Sequence, residues 1–266
     1  MRSMKALVER LDVEAVARPP CASDADVVIR LENVSVRYRV PQEPIRSFKE
    51  YAIRRLQGRV THRDFWALRD LNLTVRSGEV TGIIGRNGAG KSTLLKVIAR
   101  VLRPTAGWVW VKGRVVPLLE LGAAFHPELT GRENVYLNAT LLGHSRKEVE
   151  ARFAAIVDFA EMWDFIDAPL RTYSSGMVAR LGFAVATAWE PDILLVDEVL
   201  AVGDEAFQQK CQTCLEAFRQ NGATVLLVSH STATVQAMCQ RAMWIDQGVV
   251  KAAGAAVEVV ERYHSV

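Results

Sequence analysis

A glycine-rich octapeptide carries the most specific chemistry in this sequence. Residues 85–92 are GRNGAGKS, which fits the phosphate-loop pattern G-x-x-x-x-G-K-[ST] at every fixed position. An apolar strand is predicted before it, at 80–84, and a helix after it, at 92–103. Glycines let several N–H groups face one anion, and the following helix adds partial positive charge at its N-terminus. A chance glycine turn would not need both flanking elements, so the octapeptide predicts a phosphate site.

The side chains at the end of the octapeptide predict a nucleoside triphosphate rather than a simple anion. Lys91 can reach β- and γ-phosphates, the Ser92 hydroxyl can hold Mg²⁺, and Thr93 can hydrogen-bond a phosphate. The expected nucleotide contacts in this loop are Gly85, Asn87, Gly88, Ala89, Gly90, Lys91, Ser92 and Thr93.

Two carboxylates follow a second apolar run. Residues 193–196 are ILLV, and Asp197 and Glu198 come next. In phosphate-loop nucleotidases, an aspartate at such a strand end holds Mg²⁺, and the neighbouring glutamate is placed to polarise the attacking water. Glu198 has an alternative use as a helix N-cap. The pair predicts nucleotide hydrolysis; the Asn-Lys-x-Asp tetrapeptide of small GTPases is absent.

Two further groups have weaker signals when each is taken alone. Ser174, Ser175 and Gly176 precede a predicted helix at 178–188, where they would form a second anion site or a simple N-cap. His230 follows a predicted strand at 224–228. A lone histidine is commonly structural, but α/β sheets place ligand-contacting groups at strand ends.

Strands that alternate with helices predict a mostly parallel α/β sheet around these residues.

The composition excludes several classes of protein. The 266 residues are 50% hydrophobic and 24% charged with a net charge of +3, which argues against disorder and gives no support to nucleic-acid binding. No apolar run approaches the roughly 20 residues of a membrane span, and no signal peptide is visible. Cys211 and Cys214 share one predicted helix, at 205–220, and are expected to be structural thiols rather than half of a zinc site.

The chain divides into an N-terminal extension, 1–26, and one domain, 27–266. Within the domain, segment 41–64 carries an excess of three positive charges and has apolar residues at roughly helical spacing. Two interpretations stay open for it: a solvated surface helix, or a contact with acidic headgroups or a partner.

Taken together, the phosphate loop, the Ser-Ser-Gly turn, the Asp-Glu strand and His230 have the order found in ATP-binding subunits of ABC transporters, which the chain resembles over about 27–266. The resemblance implies a P-loop NTPase (RecA-like) core with an antiparallel β subdomain and an α-helical subdomain at about 122–190. It also implies that Tyr38 stacks on adenine, that 173–177 is a variant signature, that Asp204 lies in the D-loop and that His230 is the switch histidine. The family's Q-loop glutamine is missing near Glu120.

Stretches 119–134, 172–177 and 65–68, with the basic segment, resemble a subgroup that exports polysaccharides: the Wzt-like, capsule (KpsT-like) and teichoic-acid (TagH-like) ATPases. This resemblance implies ATP and Mg²⁺ as cofactors, a homodimer, a Wzm-like integral membrane permease and a lipid-linked glycan as substrate. The protein would lie peripherally on the cytoplasmic face of the inner membrane. A C-terminal carbohydrate-binding domain is expected to be absent, since the sequence stops at residue 266. The alternatives are an ABC ATPase for another transported substrate and a non-transport ABC ATPase.

Overall fold

The computed structural model describes residues 25–41, 62–119, 121–197 and 203–265. Outside these ranges lie nearly all of the extension 1–26, most of the basic segment 41–64, Glu120 and Glu198. Within the described ranges, the chain forms nine strands and seven α-helices, and no helix combines the length and the apolar character needed to cross a bilayer.

A three-stranded antiparallel sheet contains β1 (Val27–Pro41), β2 (His62–Arg76) and β4 (Ala106–Val111), with β1 in the centre. The spacing of apolar residues predicts strands at 27–38 and 65–75, and the structure extends the first at its end and the second at its start. The β1–β2 ladder continues to the pair Pro41↔His62. Cross-strand pairing therefore includes both ends of the predicted basic segment 41–64. Asp64, at one of these ends, forms ion pairs with Arg37 and Arg39 of β1.

A second, six-stranded sheet has the order β5-β6-β7-β3-β8-β9. Its strands are β3 (Val80–Ile84), β5 (Val115–Leu118), β6 (Ile193–Val196), β7 (Thr224–Val228), β8 (Arg241–Asp246) and β9 (Val249–Ala255). All pairs are parallel except the β8–β9 hairpin. β3 and β6 are buried along their whole length, as expected for parallel strands covered on both faces. The predicted mostly parallel α/β fold is confirmed.

Helix α1 (Lys91–Ile98) follows β3 and is shorter than the predicted 92–103. Arg100 adopts a left-handed conformation, with φ of 61°. The amides of Arg100 and Val101 donate to the carbonyls of Val97 and Lys96, which is the hydrogen-bond pattern of a Schellman motif. The helix therefore ends well before Pro104. The residue in the left-handed position is Arg100, and an arginine, unlike a glycine, does not indicate a helix end in the sequence.

Three helices form a lobe beside the sheets, within the predicted range 122–190: α2 (Gly131–Leu141), α3 (Arg146–Ala160) and α4 (Ser175–Ala186). Capping boxes at Thr130 and Ser145 fix the starts of α2 and α3. The lobe has its own buried apolar cluster, separate from the clusters around the sheets. Helix α4 begins at Ser175, three residues earlier than predicted, because Ser174 caps it.

The remaining helices are α5 (Glu205–Gln220), α6 (Thr232–Met238) and α7 (Ala256–His264). An aromatic cluster joins the lobe to α5. The Phe183 ring of α4 lies 5.8 Å from Phe159 and 6.3 Å from Phe207, which is on α5. Aromatic pairs at such distances add roughly 0.5–1.5 kcal/mol each beyond burial of their area. This cluster holds the C-terminal half of α4 at a fixed place relative to the start of α5.

Candidate functional site

The phosphate loop is shaped by where its glycines pack. Buried strand β3 delivers the chain into residues 85–90, and α1 begins directly afterwards. Gly90 is the N-cap of α1 with φ of 110°, and a Cβ there would lie 2.5 Å from the Ala67 carbonyl oxygen of β2. Only glycine satisfies both the backbone angle and the close approach. The loop thus sits against β2, and its cap leaves the first amides of α1 without a side-chain acceptor.

Lys91 is the most buried charged side chain of this loop. Only 7% of the residue is exposed, and its Nζ donates to the carbonyl oxygens of Gly85 at 2.7 Å and Arg86 at 3.1 Å. A buried ammonium must be hydrogen-bonded to offset its desolvation. These carbonyls hold the positive charge over the loop, at the place where a phosphate chain would add stronger, charged acceptors.

Two oxygen ligands for a cation lie close together at the carboxyl ends of β3 and β6 in the six-stranded sheet. The Ser92 hydroxyl lies 3.4 Å from Oδ2 of Asp197, which directly follows β6. A hydroxyl and a carboxylate fit Mg²⁺, which is bound through few protein groups and completed by phosphates and water. The described residues hold no group of three or more His, Cys, Asp or Glu side chains that would form an all-protein metal cage. The donor set therefore fits the predicted cation.

A pocket of about 270 Å³ contains most of the residues predicted to bind nucleotide. Its lining residues are Tyr38, Phe65, Ala67, Asn87, Gly88, Ala89, Gly90, Lys91, Ser92, Thr93, Asp197 and His230. The motifs that supply them come from β1, β2, the phosphate loop, the end of β6 and the end of β7. Gly85 lies buried under the loop and does not line the pocket.

The predicted signature residues lie elsewhere on the chain. Ser174 caps α4 by accepting a hydrogen bond from the Met177 amide at 3.2 Å, and Ser175 and Gly176 form the first turn. Ser174 and Ser175 are exposed, and the pocket lining does not include them. One chain therefore presents two separate helix N-termini that could bind anions.

Tyr173 anchors the turn that precedes α4. Its hydroxyl donates to the Phe165 carbonyl at 2.6 Å, and its ring packs against the apolar cluster of the lobe. Burial raises the pKa of the Tyr173 hydroxyl, so it remains a hydrogen-bond donor at neutral pH. The tyrosine thus anchors the turn before α4 to the helical lobe.

Asp204 was predicted to contact nucleotide, and the structure gives it partners within the chain. Its carboxylate caps α5 by accepting from the Phe207 amide at 3.0 Å, and it forms an ion pair with Arg180 at 2.7 Å. The hydrogen bond from the Phe207 amide and the charge of Arg180 lower the pKa of Asp204. Since Arg180 belongs to α4, this ion pair also connects α4 to α5. A nucleotide contact by Asp204 stays a prediction.

Cys211 and Cys214 have environments that fit the predicted structural role. Burial raises the pKa of the Cys211 thiol to about 12 and raises the pKa of Cys214 as well. A thiol that stays protonated at neutral pH is a poor nucleophile and a poor metal ligand.

Two residues that matter here were missed by the sequence reasoning. Asn134 is fully buried; it accepts a hydrogen bond from the His126 amide at 2.7 Å and donates to three carbonyls, of His126, Leu129 and Thr130. It therefore organises the loop that leads into α2. Phe65 lines the pocket beside the phosphate loop, although the sequence gave it no role in binding. The sequence held one signal for the first, an asparagine directly after the capping-box pattern Thr130-x-x-Glu133, and none for the second.

Comparison with known proteins agrees with this geometry. Residues 68–201 match the family model described as ABC transporter. The O-antigen export system ATP-binding protein RfbB of Klebsiella pneumoniae is 53% identical over 201 residues, which are 76% of this chain and 82% of that protein. The teichoic acids export ATP-binding protein TagH of Lactococcus lactis is 43% identical over 76% of this chain and 43% of its own length.

Among solved structures, a dimeric ATP-binding cassette in a post-hydrolysis state with ADP and Pi has a TM-score of 0.65. It shares 23% identity and covers 86% of this chain and 98% of its own. At that identity, the likeness shows the fold alone: the architecture of sheets and helical lobe described above is that of an ATP-binding cassette.

Proposed function

The chain belongs to the ABC transporter family and is an ABC-type ATPase, and from that premise we propose that it powers export of a polysaccharide or lipid-linked glycan. The observation that carries the proposal is the single pocket in which the phosphate loop, Lys91, the Ser92–Asp197 pair and His230 meet. The substrate class rests on the relatives, whose names describe O-antigen and teichoic-acid export.

Each side chain of the pocket has a role that follows from its position. Lys91 and the first amides of α1 bind the phosphate chain and stabilise the charge that develops on it. Ser92 and Asp197 would hold Mg²⁺, which neutralises the phosphates when it is bound. His230 faces the same pocket from the end of β7 and contacts the terminal phosphate. Glu198, outside the described residues, orients the attacking water.

A second copy of the chain completes the site. Ser174, Ser175 and Gly176 form an exposed helix N-terminus that lies outside this chain's own pocket. We assign their anion contact to the γ-phosphate in the partner's pocket, in a head-to-tail homodimer. ATP then closes the dimer because it binds both halves, and hydrolysis releases them.

The helical lobe offers a surface for a membrane-embedded subunit. An apolar groove of about 490 Å³ runs along α2 and is lined by Arg132, Glu133, Tyr136, Leu137, Thr140 and Arg146. Leu137, which lines the groove, is 36% exposed, and Leu141, at the end of the same helix, is 65% exposed. We assign this groove to an integral membrane permease, which would hold the protein peripherally at the cytoplasmic face of the membrane.

Reconstitution with the permease tests the proposal. ATP hydrolysis by the complex in vesicles should rise when a lipid-linked polysaccharide is added and should stay basal with the unglycosylated lipid carrier. Stimulation by the bare lipid or by small amphiphiles alone would favour a different transported substrate.

A charge placed in the groove tests the docking surface. Leu137→Asp should abolish copurification with the permease, whereas Val257→Asp, at an exposed valine of α7, should not. Retention of the permease by Leu137→Asp would contradict the assignment of the groove.

A further inference from the structure

Two aromatic side chains lie side by side at the mouth of the nucleotide pocket. Tyr38 of β1 and Phe65 of β2 are directly opposite each other in the antiparallel ladder. Residues so paired share one face of the sheet, with their Cβ atoms about 4.5–5.5 Å apart. Both line the pocket that contains the phosphate loop, and both are open to solvent, at 37% and 52% exposure.

The opposite face of the same sheet fixes this pair in register. Arg37 and Arg39 form ion pairs with Asp64 at 3.1 and 3.5 Å, and the Arg37 guanidinium lies 5.5 Å from the centre of the Trp66 ring. Neighbouring residues of a strand point to alternate faces. The contacts of Arg37, Arg39, Asp64 and Trp66 therefore direct Tyr38 and Phe65 towards the pocket.

Strand β2 also sets the distance between Phe65 and the phosphate loop. Ala67, two residues after Phe65, lies against Gly90, and Arg69 donates its amide to the Gly248 carbonyl at 2.8 Å. Gly248 in turn donates to the Ala89 carbonyl of the loop at 2.9 Å. Phe65 thus belongs to the same rigid unit as the groups that bind phosphate.

We propose that Phe65 is a second aromatic contact for the nucleotide base, beside Tyr38, so that a two-ring platform holds the base. The proposal rests on the nucleotide site proposed above and adds a residue to it. A phenyl ring offers a face and no hydrogen-bonding group, so it recognises the π-surface of a base rather than its edge. The platform therefore distinguishes a nucleoside triphosphate from a bare phosphate chain.

Calorimetric titration of the purified full chain, in the presence of Mg²⁺, tests this contact. Phe65→Ala should weaken ATP binding about tenfold, which corresponds to about 1.4 kcal/mol, and should leave the binding of inorganic tripolyphosphate unchanged. Phe65→Tyr should bind ATP as the wild type does, whereas Phe65→Leu, with apolar bulk but no ring, should resemble Phe65→Ala. Val40→Ala removes another exposed apolar side chain of β1, outside the pocket lining, and is the matched control.

The outcomes separate this inference from the proposal beneath it. Unchanged ATP affinity in Phe65→Ala, or full affinity in Phe65→Leu, would overturn the aromatic contact. An equal loss of ATP and tripolyphosphate would also overturn it, because Phe65 would then support the loop instead of the base. A wild-type chain that binds no ATP would overturn the nucleotide site itself.

Discussion

Two helix N-termini in this protein are suited to bind phosphate, and they differ in how complete they are. Helix α1 has a glycine N-cap with no side-chain acceptor, and the buried ammonium of Lys91 lies beside it. Helix α4 is capped by the Ser174 hydroxyl, is exposed, and has no basic side chain in its first turn. The first end has amides and charge available for an anion, whereas the second has already satisfied one amide by itself.

Under the proposed function, this difference predicts that the first site binds nucleotide in a single chain, while the second acts only in a dimer. A helix N-terminus without a nearby cation typically contributes only about 0.3–1 kcal/mol to binding an anion at an exposed site. The N-terminus of α4 is therefore expected to contact a phosphate that the partner's phosphate loop already binds. Its contribution should appear in dimer closure and in hydrolysis rather than in the first binding of ATP.

Removal of the cation from the first site should have the largest effect. Lys91→Ala should abolish measurable ATP binding and lower hydrolysis at least a hundredfold, because the buried charge over the phosphate chain is lost. Equilibrium binding and steady-state hydrolysis measure this, with Lys96→Ala, further along the same helix, as the control. If Lys91→Ala bound ATP within threefold of the wild type, Lys91 would not be what makes the N-terminus of α1 the stronger phosphate site.

Removal of the cap from the second site should separate binding from hydrolysis. Ser174→Ala should leave ATP binding near the wild-type value but reduce hydrolysis about tenfold or more. Loss of a serine N-cap also costs roughly 1 kcal/mol of stability. Ser145→Ala removes the N-cap of α3 and should cause a similar loss of stability in denaturant unfolding, with hydrolysis unchanged. Equal hydrolysis in the two variants would show that Ser174 has only a capping role.

A smaller, pH-dependent effect is expected where α4 is tied to α5. The pKa of Asp204 is lowered from its usual 3.8, so its ionised form stabilises the folded chain at neutral pH, and this stabilisation fades as the pH falls through the folded-state value. Asp204→Asn retains a good N-cap but loses the ion pair with Arg180. The difference in unfolding free energy between wild type and variant should be present at pH 7 and should shrink as the pH falls below 3.8 and through the lower folded-state pKa of Asp204. A difference that does not vary with pH would mean that the charge of Asp204 is not what stabilises the fold.

The first of these two helix ends could be predicted from sequence more fully than the second. The phosphate loop and Asp197 have local patterns, and parallel strands bring their carboxyl ends to one edge, so the convergence on one pocket followed from the order of motifs. The placement of α4 depends on contacts between residues that are far apart in the sequence. Tyr173 reaches Phe165, and Arg180 reaches Asp204, and neither pairing leaves a local signal.

Backbone details escaped prediction for related reasons. The end of α1 depends on Arg100 in a left-handed conformation, which residue preferences assign to glycine or asparagine. The position of Phe65 depends on the β1–β2 register, which shifts between Val36 and Arg37. Such a shift decides which aromatic residue faces the pocket, and it cannot be counted from alternation alone.

We propose that two copies of the chain form the complete ATPase site, and the mass of the Glu198→Gln variant tests this arrangement. Without hydrolysis, ATP should remain bound and hold the two copies together. Light scattering should then give twice the chain's 29.5 kDa with ATP and Mg²⁺, and the monomer mass without nucleotide. A monomer in saturating ATP would overturn the shared site, and near-normal turnover by Glu198→Gln would overturn the role of Glu198 in hydrolysis.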